Sequence, residues 1–502
     1  MAMDQVTEQN KNQADYRSAA YLAMLPNIIR VRDVCAGTLH LRSKSTAYLP
    51  QEPREDPQAY AIRLSKALLV NLTERAINGL VGLVFSTEPQ LSDDVPVSMA
   101  GQEEAAANPE TGQPAQPEIE GQLENCDLAG THWTVFAKEL FSDALHDGHA
   151  FLMTDMPPAL GEGATKADEM RAGRRPYWVK YKADQAINWR LDSRGRLAQI
   201  TFEECSLEPD GEYGEKEVYR YRVLRPGSWE LYRKAEQDGR SVLFLESSGL
   251  TAPVTEIPVS VCYGKKKAPL ISSPPMLDLA EVNLLHYQES SDYRIYLRIA
   301  SRPLLWFRGR DLSKTVEVIG PYSVFDVAEN GQAAFAETTG AALGAARQDL
   351  KDMEDYMGVL GLSMLAQQTP QKTATEERGD QVRELSELAT AAQSLKDCLE
   401  QGLMFWAQYA NEPTGGSVRL GVDIDDLTMT DQEMNAYNAM AGTVLSKQTV
   451  REILRERGKL PESYSEEAEA KRLADEAAMA RANMPDIGQA FNRGFLADTE
   501  VA

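Results

Sequence analysis

The stretch PPMLDLAEVNLLHYQESSDYRIYLRIA, residues 274–300, decides how the second half of this chain is read. Ser273 stands before it as a helix-start signal, because its hydroxyl can accept from a first-turn N–H. Pro274 and Pro275 then fall in the first turn, where a missing N–H costs least. Leu277, Ala280, Leu284 and Tyr287 carry helical spacing on to about Ala300. Pro303 and Gly309 bracket Leu304-Leu305-Trp306-Phe307, so residues 301–338 read as a compact insert of short strands. A second helix is expected over 339–360. There Leu343, Ala346, Leu350, Met353 and Met357, with Leu360, alternate three- and four-residue steps, the seam of a helix packing along another helix. Gly358 and Gly361 weaken its end, and Pro370 in the polar segment 361–375 forbids a continuous helix. A third pattern, 376–411, carries Val382, Leu385, Leu388, Ala392, Leu395, Leu399, Leu403 and Trp406. Roughly 35 residues at ~1.5 Å each span about 50 Å, longer than an ordinary domain helix.

Upstream, residues 14–85 read as mostly helical, with Tyr60, Leu64, Ala67, Leu68, Asn71 and Leu72 at helical spacing and Gly79 and Gly82 loosening the end. Residues 91–125 hold Pro, Gly, Ala, Glu and Asp without Lys or Arg. That composition has too little apolar surface to offset ordering, so a flexible insert is expected. A helix over about 131–147 presents Trp133, Phe136, Ala137, Leu140, Phe141 and Ala144 on one side. Gly148 ends it, and Ala150–Thr154 reads as a buried strand. From Pro176 to Cys262 the period falls to two, the mark of an antiparallel β subdomain. Downstream of Pro413, Gly415 and Gly416, two shorter helices are expected. Thr430 with Glu433 is a capping box for the first, and Ser446 caps the second, which Gly458 and Pro461 end. The fold class is α+β, with a predominantly helical second half.

The 502 residues carry a formal net charge of -24 and a pI near 4.8. Such a chain repels nucleic acid at long range. Either DNA is no partner, or it is meant to pass without sticking. Cys35, Cys126, Cys205, Cys262 and Cys398 are far apart and odd in number, which speaks against a disulfide framework or a zinc knuckle. No apolar run reaches the roughly 18–20 residues of a bilayer span, and the polar start lacks a signal peptide's apolar core. Manufacture and assembly in the cytoplasm are expected.

A search for catalytic chemistry finds little. Gly309–Thr315 is the nearest approach to a phosphate-cradling loop, but Ser313 stands where glycine is needed before Lys314. His146-Asp-Gly-His149 is the densest histidine pair. It reads as a polar helix end followed by a strand, not as a metal site. No catalytic residue, metal or cofactor is expected. Two features carry functional readings. Arg294, Arg298 and Arg302, spaced at four and followed by Arg308 and Arg310, share a helix face. They form either a basic ring or inter-subunit clamp, or a solvated face with intrahelical partners such as Glu289 or Asp292. Gln367, Gln368, Thr369 and Lys372 lie in the polar connection, which reads as a mobile loop facing a channel rather than an ordinary linker.

The phrase Tyr48-Leu49-Pro50 followed by EDPQAYAIRLSKALLVNLTERAINGLVGLVF (55–85) resembles the opening of a subfamily of portal proteins of tailed bacteriophages. PPMLDLAEVNLLHYQESSDY at 274–293 is similar to that family's first stem helix. VLGLSMLAQQTPQKTATEERGDQVRELSELATAAQSL at 359–395 is similar to its hinge and long helix. Asp423–Leu427 with GTVLSKQTVREILRERGKLPE at 442–462 is similar to its closing segment. The resemblance covers most of residues 45–460. It implies a ring, as a rule of twelve copies, at one capsid vertex. Double-stranded DNA passes through the ring in packaging and ejection. The implied partners are the terminase motor, neck or adaptor proteins, and capsid and scaffolding proteins, with no membrane. Carried over, the wing is 14–272 with 376–411, the stem 273–300 and 339–360, and the clip 301–338. The tunnel loop is 361–375 and the crown 430–502. On that reading the stem seam packs against neighbouring copies and has no partner in its own chain. A motor component with ATPase activity and a non-channel scaffold or adaptor are the competing readings.

Overall fold

The computed structural model describes residues 13–101, 121–157, 168, 173–237, 240–301, 304–308, 332–336, 341–362 and 374–420. All lie in the first of the two units into which the chain divides, Met1–Val422. The expected crown helices, the tunnel-loop residues Gln367, Gln368, Thr369 and Lys372, Arg302, Arg310 and the Gly309–Thr315 stretch lie outside the described residues.

The fold is α+β. Helices α1 (Ala19–Cys35), α2 (Thr38–Lys44), α3 (Pro57–Lys66) and α4 (Leu72–Val84) fill the N-terminal region. The spacing through Leu68 and Asn71 does not belong to one continuous helix. Ala67 is extended, and Asn71 turns its side-chain oxygen to the Glu74 N–H at 3.1 Å to start α4 anew. A capping residue thus outweighs apolar spacing. Gly79 and Gly82 sit inside α4 without ending it.

The insert expected over 91–125 is anchored at both ends. β1 (Gln90–Leu91) pairs antiparallel with β14 (Val418–Arg419). The one-turn helix α5 (Val97–Ala100) follows, and Val95, Met99 and Leu123 are buried. Three well-placed apolar side chains suffice to hold segments whose average composition looks soluble.

Helix α6 (Trp133–Asp147) ends at Gly148, whose φ of +93° is left-handed. A Cβ there would lie 2.5–2.7 Å from Ser272 and Ser273, so glycine is required twice over. Strand β2 (His149–Asp155) follows directly and is flanked antiparallel by β3 (Tyr177–Lys182) and β9 (Val259–Tyr263). Between them β4 (Ala186–Leu191), β5 (Leu197–Asp210), β6 (Gly214–Arg225), β7 (Ser228–Gln237) and β8 (Arg240–Leu250) form a five-stranded antiparallel meander. One face of the small sheet packs on the meander: Phe151, Met153, Tyr181 and Val259 meet Ile200, Phe202 and Leu224. The Tyr181 and Phe202 rings stack there at 4.0 Å. β10 (Lys266–Ala268) and β11 (Ile271–Ser272) make a short hairpin before the helical half.

That half comprises α7 (Leu277–Ala300), α8 (Ala341–Leu362) and the 37-residue α9 (Ala374–Ala410). α7 begins beyond its two prolines, which form a preceding turn: the Leu277 N–H reaches the Pro274 carbonyl. α9 covers the other face of the small sheet. Ser260 donates to the Cys398 carbonyl at 2.8 Å and Thr154 to the Gly402 carbonyl at 3.2 Å. A Cβ on Gly402 would stand 2.7 Å from the Leu152 side chain, so helix and sheet meet closer there than any other residue allows. Trp406 is fully buried, edge-on to Trp178, with its N–H on the Gln122 side chain.

Candidate functional site: paired helices and their brace

α7 and α8 lie side by side within the chain. Leu279 lies beside Gly361, and His286 faces Glu354 at 3.3 Å, so the two helices run antiparallel. β12 (Leu304–Arg308) and β13 (Gln332–Ala336) pair as a hairpin where the chain passes from one to the other. This corrects the expectation that the α8 seam has no partner in its own chain. The 274–300 helix is that partner, as the contacts of Leu279 with Gly361 and of His286 with Glu354 show. The seam is graded. Met357 is buried, while Leu343, Ala346, Leu350 and Met353 are only half-buried.

The other faces of the pair are not covered. Tyr296 and Leu297 on α7 and Tyr356 and Val359 on α8 are 45–62% exposed, and Trp306 of the hairpin is exposed as well. Arg294 and Arg298 are exposed and make no ion pair among the described residues. Arg308 is exposed on β12. Asp292, the intrahelical partner considered for them, is taken by Arg63 instead.

The base of α7 is held by a buried polar brace. Asn283 is fully buried. Its side-chain oxygen accepts from the Leu72 N–H, the Thr73 N–H and the Thr73 hydroxyl at 3.1–3.3 Å, and its amide donates to the Val70 carbonyl at 2.8 Å. A residue over two hundred positions away thereby satisfies the free N–H groups that open α4. Arg63, 4% exposed, forks onto Glu55 at 2.7–2.8 Å, reaches Asp292 at 3.1 Å and donates to the Pro50 carbonyl at 2.6 Å. The hydrogen bonds from Arg63 hold the Glu55 carboxyl below its ordinary value. Burial raises Asp292, against the pull of Arg63. Tyr60 donates to the Leu49 carbonyl and Gln288 to the Tyr48 carbonyl. The words that carried the N-terminal resemblance, Tyr48-Leu49-Pro50, Tyr60, Arg63, Asn71 and Thr73, are thus the parts of one joint with α7.

The two histidines of His146-Asp-Gly-His149 part company. His149 is buried with its Nδ1 on the Ser272 hydroxyl at 2.6 Å, and burial lowers it to about 4. His146 turns to Glu74 at 2.9 Å. Asp147 between them is 1% exposed and held by Arg32, which also grips Asp184.

Residues 275–410 match the sequence family described as a domain of unknown function, DUF4055. The match opens two residues before α7 and closes on the last residue of α9. No curated protein matches the chain. Among solved structures, it aligns with a chain in the virion of a native gene transfer agent (GTA) particle at 11% identity and a TM-score of 0.36, covering 84% of this chain and 98% of that one. It aligns with a chain in the neck of the empty GTA particle computed with C6 symmetry at 11% identity and a TM-score of 0.37, covering 84% and 98%. For the neck of the native GTA particle computed with C12 symmetry the identity is 11% and the TM-score 0.36, over 82% and 98%. Among the described residues no helix is long and apolar enough to cross a membrane.

Proposed function

We propose that this chain is a structural subunit of a portal ring, which sits at a capsid vertex and conducts double-stranded DNA during packaging and ejection. The observation that carries the reading is the exposed apolar surface of the α7–α8 pair, where Tyr296, Leu297, Tyr356 and Val359 group on two adjacent helices. Exposed apolar side chains grouped on one element mark a contact surface. In a ring of identical copies, the surface on one subunit is covered by the next. The order of phrases along the sequence supports the same assignment, as does the joint that ties Tyr48–Thr73 to α7. The net charge of -24 suits a bore that does not hold phosphates. Under this proposal the subunit docks the terminase motor and the neck or adaptor proteins, meets capsid and scaffolding proteins, and has no enzymatic activity. It is assembled in the host cytoplasm, resides in the virion, and uses Lys372 and its neighbours at the bore.

The test is size-exclusion chromatography with light scattering, followed by negative-stain imaging of the purified chain. Rings with a central hole support the proposal. A monomer or dimer at every concentration overturns it in favour of an adaptor. Phosphate release from ATP and Mg²⁺ above background favours a motor.

A further inference from the structure

Helices α1, α4 and α6 bring a distinct set of side chains together. Cys35 is the last residue of α1, Glu74 stands in the first turn of α4, and His146 lies in the last turn of α6. The thiol sulfur, one carboxylate oxygen and one imidazole nitrogen all lie within 4.8 Å of one another. They line a cavity of about 310 Å³ together with Arg32, Ala36, Asp143 and Lys182. We propose that Cys35, Glu74 and His146 form a divalent-metal site of the zinc type, with a fourth position open to the cavity.

The donor set is the first reason. One sulfur, one imidazole nitrogen and one carboxylate oxygen suit zinc, whereas magnesium and calcium take oxygen ligands. The second reason is the placing of His146. Its Nδ1 lies 2.8 Å from the Ser142 carbonyl and its Nε2 lies 2.9 Å from the Glu74 carboxylate, so the ring is held with one nitrogen toward the donor cluster. A backbone carbonyl that fixes the other nitrogen is the usual support of a ligating imidazole.

Geometry adds a third. Zinc bonds of ~2.0–2.3 Å in a tetrahedron place ligand atoms roughly 3.3–3.8 Å apart. The three donor atoms lie within 4.8 Å of one another on helices that pack directly on one another, so only side-chain adjustments separate them from that spacing. The neighbouring cations are already engaged. Arg32 is bound to Asp147 and Asp184, and Lys182 lies 3.4 Å from Asp143. Three donors from one chain leave one position for water or another ligand from the cavity side, and binding staples α1, α4 and α6.

The experiment uses the full chain, stripped with a chelator and titrated with Co²⁺. One equivalent should bind with a near-ultraviolet thiolate charge-transfer band and visible bands of tetrahedral intensity, and Zn²⁺ should displace it. Cys35→Ser should abolish the charge-transfer band. Glu74→Gln and His146→Gln should each weaken binding about tenfold or more. Circular dichroism checks that each variant folds. If His146→Gln does not fold, the comparison of Zn²⁺-induced Tm shift between wild type and Cys35→Ser decides: a rise in the first and none in the second supports the site. No cobalt band in the wild type, or a band that survives Cys35→Ser, overturns it. Ring formation is read separately, so the fate of the portal proposal does not decide this one.

Discussion

The sheet-and-α9 region and the α7–α8 pair are both built from amphipathic segments, yet they end differently. In the first, the small sheet has a cover on both faces within the chain: α9 lies on one side of β2 and the meander on the other, and Trp178, Phe202 and Trp406 are shut from solvent, while Phe244, Leu245 and Leu250 at the meander's far edge are exposed. In the second, one side of each helix is covered by the other helix while Tyr296, Leu297, Tyr356 and Val359 remain in water. The first region stabilises the subunit; the second has apolar surface left over for a second molecule. The pair is tied to the N-terminal helices by the joint of Asn283, Arg63 and Asp292, which is polar and centred on two buried side chains.

Substitutions should separate the two regions cleanly. The largest loss is expected from Trp406→Ala, which empties the contact between α9, Trp178 and Gln122. Denaturant unfolding should show about 3–5 kcal/mol less stability, and a loss under 1 kcal/mol would mean that α9 is not part of the core. Arg63→Met comes next. It leaves Glu55 and Asp292 facing each other without their cation, at a cost of about 3 kcal/mol. Because the joint carries α7, the same variant should also lower ring yield; normal rings from a destabilised subunit would detach the joint from assembly.

Acid provides a third test, confined to the first region. His149 is neutral in the folded chain down to about 4, while the unfolded chain takes up the proton near 6.5. Its contribution is therefore fully present above pH 6.5 and is lost as pH falls from 6.5 towards 4, to a total of about 3 kcal/mol. His149→Gln should flatten that part of the stability profile relative to wild type; parallel profiles would rule the histidine out. The smallest effect on the subunit is expected from Leu297→Gln, Tyr356→Gln and Val359→Gln together. Each should change unfolding free energy by no more than about 0.5 kcal/mol, as for exposed positions in general. Sizing should nonetheless report loss of the assembled form. The contrast between regions fails if the triple variant unfolds as readily as Trp406→Ala.

Truncating Leu350 and Met357 of the seam together to Ala would not isolate assembly. Met357 is buried, so its loss also weakens the subunit. The seam was legible as a packing face, but the identity of its partner was not. Periodicity says which side of a helix is apolar and says nothing of what lies opposite.

The prolines read as the first turn of α7 form the turn before it, while helix and strand spacing, the stop at Gly148 and the length of α9 were all readable along the chain. They follow from backbone geometry repeated every few residues, and neighbouring side chains report it directly. The cap that Asn283 places on α4, the fork of Arg63 between Glu55 and Asp292, the parting of His146 from His149, and the meeting of Cys35, Glu74 and His146 belong to the packed molecule alone. Each joins segments tens to hundreds of residues apart, whose approach depends on how whole layers stack, and no local pattern of residues encodes that distance.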